Sequence, residues 1–296
     1  MSKRYGERVA VDSMSFSVSA GEIFGFVGGN GAGKTTTMRI AVGVLSADSG
    51  TVRWDGKPVS GRDTASFGYM PEERGLYPKM TVAKQLVYLG RLHGMSASEA
   101  RVAMRRWTER LRIAEHRDRP VESLSLGNQQ RVQLAAALVH DPDMLILDEP
   151  FSGLDPVAVE DMSDVLREKA SDGTAVLFSS HQLDLVERLC DRVGVVNAGK
   201  TVACGTLDEL RRALRPLLYL SVEGARADWP ARIPAVTWFE PADDGVVLEL
   251  GPGCDENALL REAMEHGAVR QMVWRRPTLT QMFRDLTTTT DERVAV

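Results

Sequence analysis

The chain has 296 residues, 43% hydrophobic and 26% charged, with a net charge of −5. This length exceeds one small domain and suits either a single large α/β domain or a domain of about 200 residues with a smaller companion. The mildly acidic balance argues against a dedicated nucleic-acid binder, which concentrates positive charge. Cys190, Cys204 and Cys254 are odd in number, widely spaced and outside any CxxC or Cys/His cluster. That excludes a disulfide framework or a zinc site and predicts buried, reduced thiols. The first residues lack the apolar core of a secretory leader, and no apolar run approaches the ~18 residues that span a bilayer. The expectation is a cytoplasmic protein that reaches a membrane only through a partner.

In chain order, apolar residues alternate from 9 to 27 (Val9, Val11; Phe16, Val18; Ile23, Phe24, Phe26), a strand pattern broken at Ala20-Gly21-Glu22. A glycine-rich loop follows, then a helix of about ten residues from Lys34. Residues 51–54 and 57–59, separated by Asp55-Gly56, read as a hairpin. From about 81 to 139 the spacing turns helical (Val82, Leu86, Leu89, His93; Ala100, Met104, Trp107, Leu111), with Met104 and Trp107 as helix core.

The α/β rhythm then resumes. Residues 144–147 form a short apolar strand ending in two acids, 157–169 a helix, 174–178 a strand and 182–190 a helix. Strands 193–196 and 201–203 flank an Ala198-Gly199-Lys200 turn, and Thr206-Leu-Asp-Glu209 opens another helix as a capping box. Past Arg215 the composition shifts. Strands at 217–222, 236–239 and 246–250, a helix at 256–266, a strand at 269–274 and a helix at 278–286 predict a small βββαβα domain.

Two segments carry chemistry on their own. Gly28-Gly29-Asn30-Gly31-Ala32-Gly33-Lys34-Thr35 satisfies GxxxxGK[ST] between a strand and a helix. Glycines let backbone N–H groups converge on phosphate oxygens, and the helix N-terminus adds partial positive charge. Lys34 is expected to reach the β- and γ-phosphates, and Thr35 to ligate Mg²⁺ through its hydroxyl. Downstream, Asp148 is expected to bind the metal through water, and Glu149 to act as general base on the attacking water.

Further segments then resemble, in order, the ATP-binding subunits of ABC transporters. Residues 123–131 (Ser-Leu-Ser-Leu-Gly-Asn-Gln-Gln-Arg) are similar to that family's signature, usually LSGGQ and here LSLGN. Ser152-Gly153-Leu154-Asp155 looks like its D-loop, and His181 like its switch histidine. Tyr5 looks like the aromatic that stacks on adenine, and Tyr69-Met70-Pro71-Glu72 like the segment carrying the Q-loop glutamine.

The resemblance implies an α/β P-loop domain with a mixed sheet core, an antiparallel β subdomain and a helical subdomain (about 79–140). It places that domain at 1–214, a small α+β domain at 215–288 and a disordered tail at 289–296. The ligands it implies are ATP and Mg²⁺. Gly28 to Thr36, Thr36 included, would wrap the phosphates, with Tyr5 on the base. Thr35, Asp148 and Glu72 would hold the metal, and Lys34, Glu149 and His181 would serve catalysis. Ser125, Gly127, Asn128 and Asp155 would address nucleotide in the partner's site, because two such domains close head to tail as a homodimer or with a related ATPase.

The resemblance further implies separate membrane permeases, contacted near 74–92, a place on the cytoplasmic face of the membrane, and export of a drug, antibiotic or ion. No nucleic acid is expected. A non-transport ABC ATPase acting on nucleic acid or the ribosome is the alternative. Two departures stand out: Glu72 replaces the glutamine, and Leu126 and Asn128 replace Gly and Gln. The family also has a longer stretch ahead of Lys3-Arg4-Tyr5-Gly6, so Tyr5 is expected to be less firmly anchored.

Overall fold

A computed structural model of the chain describes residues 1–61, 63–73, 75–212, 217–226, 228–251, 254–275 and 278–284. The expected tail at 289–296, the end of the last predicted helix at 285–286 and the junction at 213–216 lie outside the described residues. Two compact units emerge, Met1–Thr206 and Leu207–Val296.

The first unit opens with a hairpin of β1 (Lys3–Tyr5) and β2 (Arg8–Val11), turning at Gly6 with φ +59°. Its start is tied down. Lys3 Nζ and the Arg4 N–H both donate to the Asp48 carboxylate at 2.7 Å, and Ser2 pairs with Ser49. The backbone ahead of Tyr5 is therefore anchored, contrary to expectation, while the tyrosine ring stays half-exposed.

β3 (Ile23–Gly28) runs into the glycine loop and α1 (Lys34–Ala41). The strand pattern predicted between β2 and β3 does not form a ladder. Residues 14–19 belong to no strand: Met14 exchanges backbone hydrogen bonds with Met1 at 2.9 and 2.7 Å, and Met14, Phe16 and Val18 pack inward on the core. β4 (Arg53–Trp54) and β5 (Lys57–Pro58) form the small hairpin. Asp55 and Gly56 between them both take positive φ, 49° and 75°, the geometry of a tight primed turn.

β6 (Phe67–Met70) leads to the helices α2 (Val82–Leu92), α3 (Ala97–Arg110) and α4 (Leu126–Leu138). α3 starts with a full capping box between Ser96 and Glu99, and Met104 and Trp107 are buried as predicted. Then follow β7 (Met144–Leu147), α5 (Pro156–Ser171), β8 (Ala175–Ser180), α6 (Leu183–Leu189), β9 (Arg192–Asn197) and β10 (Lys200–Thr206).

Six strands form one sheet in the order β10-β9-β3-β8-β7-β6, parallel throughout except for β10 against β9. Strands covered on both faces must be apolar along their whole length. β3 and β7 meet that condition, and β8 is buried throughout as well but ends in Ser179 and Ser180 at the carboxyl end. A ligand in such a sheet sits beyond the carboxyl ends of its strands. The glycine loop, Asp148-Glu149 and His181 all follow those ends. None of the three cysteines is in a disulfide, and Cys204 is exposed on the edge strand β10 rather than buried. Burial pushes the Cys190 thiol well up.

The second unit begins with α7 (Leu207–Arg212). β11 (Leu217–Glu223), β12 (Val236–Ala242), β13 (Gly245–Leu250) and β14 (Ala268–Arg275) make an antiparallel sheet ordered β12-β13-β11-β14. α8 (Glu256–His266) lies on one face. Its Leu259 and Ala263 close a core with Leu218, Leu220, Val246 and Leu248. Residues 279–284 are helical, so the described elements follow the βββαβα order read from the sequence.

Candidate functional site

The glycine loop owes its shape to close approach as much as to backbone freedom. A Cβ on Gly28 would lie 2.5 Å from the Val196 carbonyl oxygen. One on Gly33, where φ is +103°, would lie 2.4 Å from that of Ala10. Any other residue would push the loop off the neighbouring backbone. Gly33 is the N-cap of α1 and no side chain caps the helix, so the N–H groups of its first turn remain free to bind an anion. Lys34, 7% exposed, folds back along the loop. Its Nζ donates to the carbonyls of Gly28 (2.8 Å) and Gly29 (3.3 Å) and stands 3.9 Å from Glu149 Oε1.

The two acids after β7 are fixed from β8. Ser179 Oγ donates to Asp148 Oδ1 at 2.6 Å and accepts the Glu149 N–H at 2.9 Å. The Asp148 N–H continues the ladder to Met70 O at 2.8 Å. Asp148 is fully buried, and its Oδ2 has no hydrogen-bond partner. Glu149 takes the left-handed region, φ 50°, which turns its side chain out of the strand direction. Its Oε2 meets His181 Nδ1 at 2.9 Å, and the imidazole is otherwise 58% exposed. Gln130 of α4 donates to the carbonyls of Glu149 (3.3 Å) and Pro150 (3.0 Å).

Lys34, Asp148 and Glu149 line one open cavity of about 520 Å³, walled also by Tyr5, Arg8, Ala10, the rest of residues 30–36, and Glu72. Thr35, Glu72 and Asp148 bring oxygen donors to it. Among the described residues no group of three or more His, Cys, Asp or Glu could hold a metal by itself. Such a wall suits a hard cation that draws its remaining ligands from phosphates and water. The orphaned Asp148 Oδ2 is the atom this chain leaves available for it.

The other site residues lie apart from this cavity. Ser125 is the N-cap of α4 and accepts the Asn128 N–H at 3.4 Å, while Asn128 Nδ2 lies 3.0 Å from His116 Nε2. Asp155 caps α5, accepting the Ala158 N–H at 2.8 Å, and Pro156 follows at the first helical position. The two stretches touch. Leu126 packs over Gly153, and Leu154 lies against Gly127. They form one surface with its own local order.

Sequence reading missed Arg8, Ser179 and the two buried glutamines Gln130 and Gln133. Arg8 lies in the hairpin that flanks the glycine loop, and no short spacing connects it to residues 28–35. Ser179 carried a faint signal, being two residues before His181 on a strand parallel to β7.

A family profile described as "ABC transporter" matches residues 11–152, and one described as "ATP-binding protein DrrA1-3-like, C-terminal domain" matches residues 205–287. The uncharacterized ABC transporter ATP-binding protein YhaQ of Bacillus subtilis is 38% identical over 284 residues, covering 96% of this chain and 95% of that protein. The linearmycin resistance ATP-binding protein LnrL of the same organism is 32% identical over 301 residues, covering 96% of each. A solved structure described as the ATP-binding subunit of an ABC transporter superposes with a TM-score of 0.67 at 30% identity, covering 72% of this chain and 90% of that one.

Proposed function

The chain belongs to the ABC transporter ATP-binding proteins, and from that premise we propose how its residues divide the labour of a transport ATPase. The observation that carries the assignment is the line Lys34–Glu149–His181, whose first two members wall one cavity beside an aspartate that Ser179 holds with one oxygen free.

The reaction is ATP + H₂O to ADP + phosphate. Tyr5 stacks on the adenine. The N–H groups of residues 29–36 wrap the phosphates, and Lys34 exchanges the carbonyls of Gly28 and Gly29 for phosphate oxygens. Thr35, Asp148 and Glu72 would hold Mg²⁺ with the nucleotide, where it would supply positive charge to offset that of the phosphates. Glu149 accepts the proton of the attacking water. His181 keeps the Glu149 carboxylate aimed through its Nδ1 and faces the γ-phosphate with its exposed side.

Ser125, Gly127 and Asn128 of one copy, with Asp155, complete the site of a second copy arranged head to tail. Supporting this, those residues are ordered yet stand outside their own chain's cavity. Closure on ATP and opening after hydrolysis then drive a separate permease from the cytoplasmic face of the membrane. No helix among the described residues is long and apolar enough to cross a membrane.

The permease contact falls around residues 75–92. There the rings of Tyr77 and Tyr88 meet edge to face at 6.0 Å while both remain exposed, beside an exposed Leu92. Export is the direction favoured, since LnrL is named for resistance to an antibiotic.

The test is co-purification of the chain with the membrane protein encoded beside it, followed by ATPase assays in vesicles with candidate cargo. Stoichiometric capture and cargo-stimulated turnover are expected, and Y77S/Y88S should release the partner. A chain that hydrolyses ATP at full rate but never retains a membrane protein would overturn the transport assignment. Full capture by Y77S/Y88S would move the contact elsewhere.

A further inference from the structure

The segment carrying Glu72 leaves the sheet after Met70, and its backbone is gripped from the side. Gln133 of α4 donates through Nε2 to Pro71 O at 2.6 Å and to Glu73 O at 3.4 Å, the carbonyls on either side of Glu72. Gln133 is 3% exposed, so these bonds are made out of water, where they are strong. Two carbonyl acceptors dictate which end of the amide is the nitrogen. That orientation leaves Gln133 Oε1 buried with no partner, a desolvation cost that methionine or leucine of similar size would avoid.

One helical turn earlier, Gln130 holds the carbonyls of Glu149 and Pro150 in the same manner. Positions i and i+3 share a helix face, so α4 presents two amides side by side. One reaches the segment bearing Glu149 and the other the segment bearing Glu72.

Glu72 needs such a grip more than a neutral residue would. A carboxylate beside phosphates is repelled unless a cation lies between them, so a displacement of an ångström or so reverses the sign of its contribution. We propose that Gln133 is a positioning residue for Glu72, fixing the peptide on both sides of it so that its carboxylate meets the cation and not the phosphate oxygens. The proposal rests on the reading of Glu72 as a cation ligand given above.

Q133M keeps the volume and removes the donor, and Q133L serves the same purpose should methionine disturb the packing. The readout is Mn²⁺ binding to the full chain with ATP, followed by electron paramagnetic resonance in an E149Q background where the nucleotide stays intact. Expected are Mn²⁺ affinity weakened roughly tenfold, the scale of losses on removing a partner of a metal ligand, cation-free ATP affinity within about twofold of the parent, and no fall in melting temperature.

E72A should weaken Mn²⁺ comparably. E72A/Q133M should match E72A alone, because a gripping residue has nothing to hold once the carboxylate is gone. Parent-like Mn²⁺ affinity in Q133M, or full additivity in the double variant, overturns the proposal. Unchanged Mn²⁺ binding in E72A would instead overturn the reading of Glu72, and that outcome is distinct because it appears without touching Gln133.

Discussion

The two halves of the binding chemistry in this chain are built in opposite ways. In the cavity, Lys34, Asp148 and Glu149 are 7%, 0% and 9% exposed, and each already holds partners within its own chain. Across the unit, Ser125, Leu126, Gly153 and Asp155 are exposed, and their order comes from helix caps and from each other. Burial strengthens electrostatic interactions, so the groups that must hold charge are organised before any ligand arrives. A surface ordered only by its caps is poised to be covered by a second copy. On the proposed head-to-tail reading, the contrast gives one chain a pocket and a lid, the lid being meant for the pocket of a second copy.

The sharpest way to probe the pocket side is Glu149→Gln. Loss of a positioned base should lower hydrolysis about 10²–10⁴-fold. ATP binding should survive, and an ATP-bound dimer should persist in size-exclusion chromatography; unaltered turnover would remove Glu149 from its role.

The lid side is probed next by Gly127→Ala. Its added Cβ meets Leu154 at 3.5 Å, an ordinary contact, so the fold should hold. A methyl group at the phosphate contact should nevertheless cost roughly 10–100-fold in rate. Lys34→Ala should be inactive too. Mixing the two inactive proteins should restore about a quarter of parental activity, because half the random dimers then carry one site with intact Lys34 and Gly127. No recovery on mixing would break the pocket-and-lid division.

A third comparison is with a buried group that has no part in the chemistry. His140 stacks on His93 with ring centroids 3.6 Å apart. Burial, aided by the His93 charge, pulls its pKa from 6.5 down to about 4. Its folded pKa lies below its unfolded value, so the unfolded chain takes up the proton first and stability falls as the pH drops from 6.5 toward 4. Allowing for partial exposure, the loss is on the order of 1–3 kcal/mol. H140Q should flatten that slope in melting curves without altering ATP affinity. The smallest effect on stability is that of Asp155→Ala, whatever it does to turnover: loss of a helix cap worth about 1 kcal/mol, readable as a drop of a few degrees in melting temperature.

The sequence was most informative where a function needs a local run of residues. A phosphate cradle must be continuous in the chain, so residues 28–35 announced it, and a strand ending in two acids announced Asp148 and Glu149. α8 fell at Glu256–His266 as read, because its cap and apolar spacing agree. Legibility failed where a partner comes from another element. Ser179 meets Asp148 across a sheet pairing 31 residues away, and Gln133 meets Pro71 from 62 residues away. The failure at 14–19 has the same origin, since alternation predicts which side chains face inward but not whether a neighbouring strand is present to pair with.

The Ser179 hydroxyl also bears on how Asp148 would meet a cation. With Oδ1 engaged at 2.6 Å, Oδ2 is the oxygen that a cation or its water shell would meet if Asp148 serves the metal as proposed. Magnesium accepts a single carboxylate oxygen within a strict octahedron, whereas calcium readily takes two in a looser shell. On the proposed reading, a serine one strand away would bias the site toward the smaller ion. Replacing it with alanine should let Ca²⁺ compete for the nucleotide complex at lower concentrations, and an unchanged Ca²⁺ inhibition curve would show that the hydroxyl plays no such part.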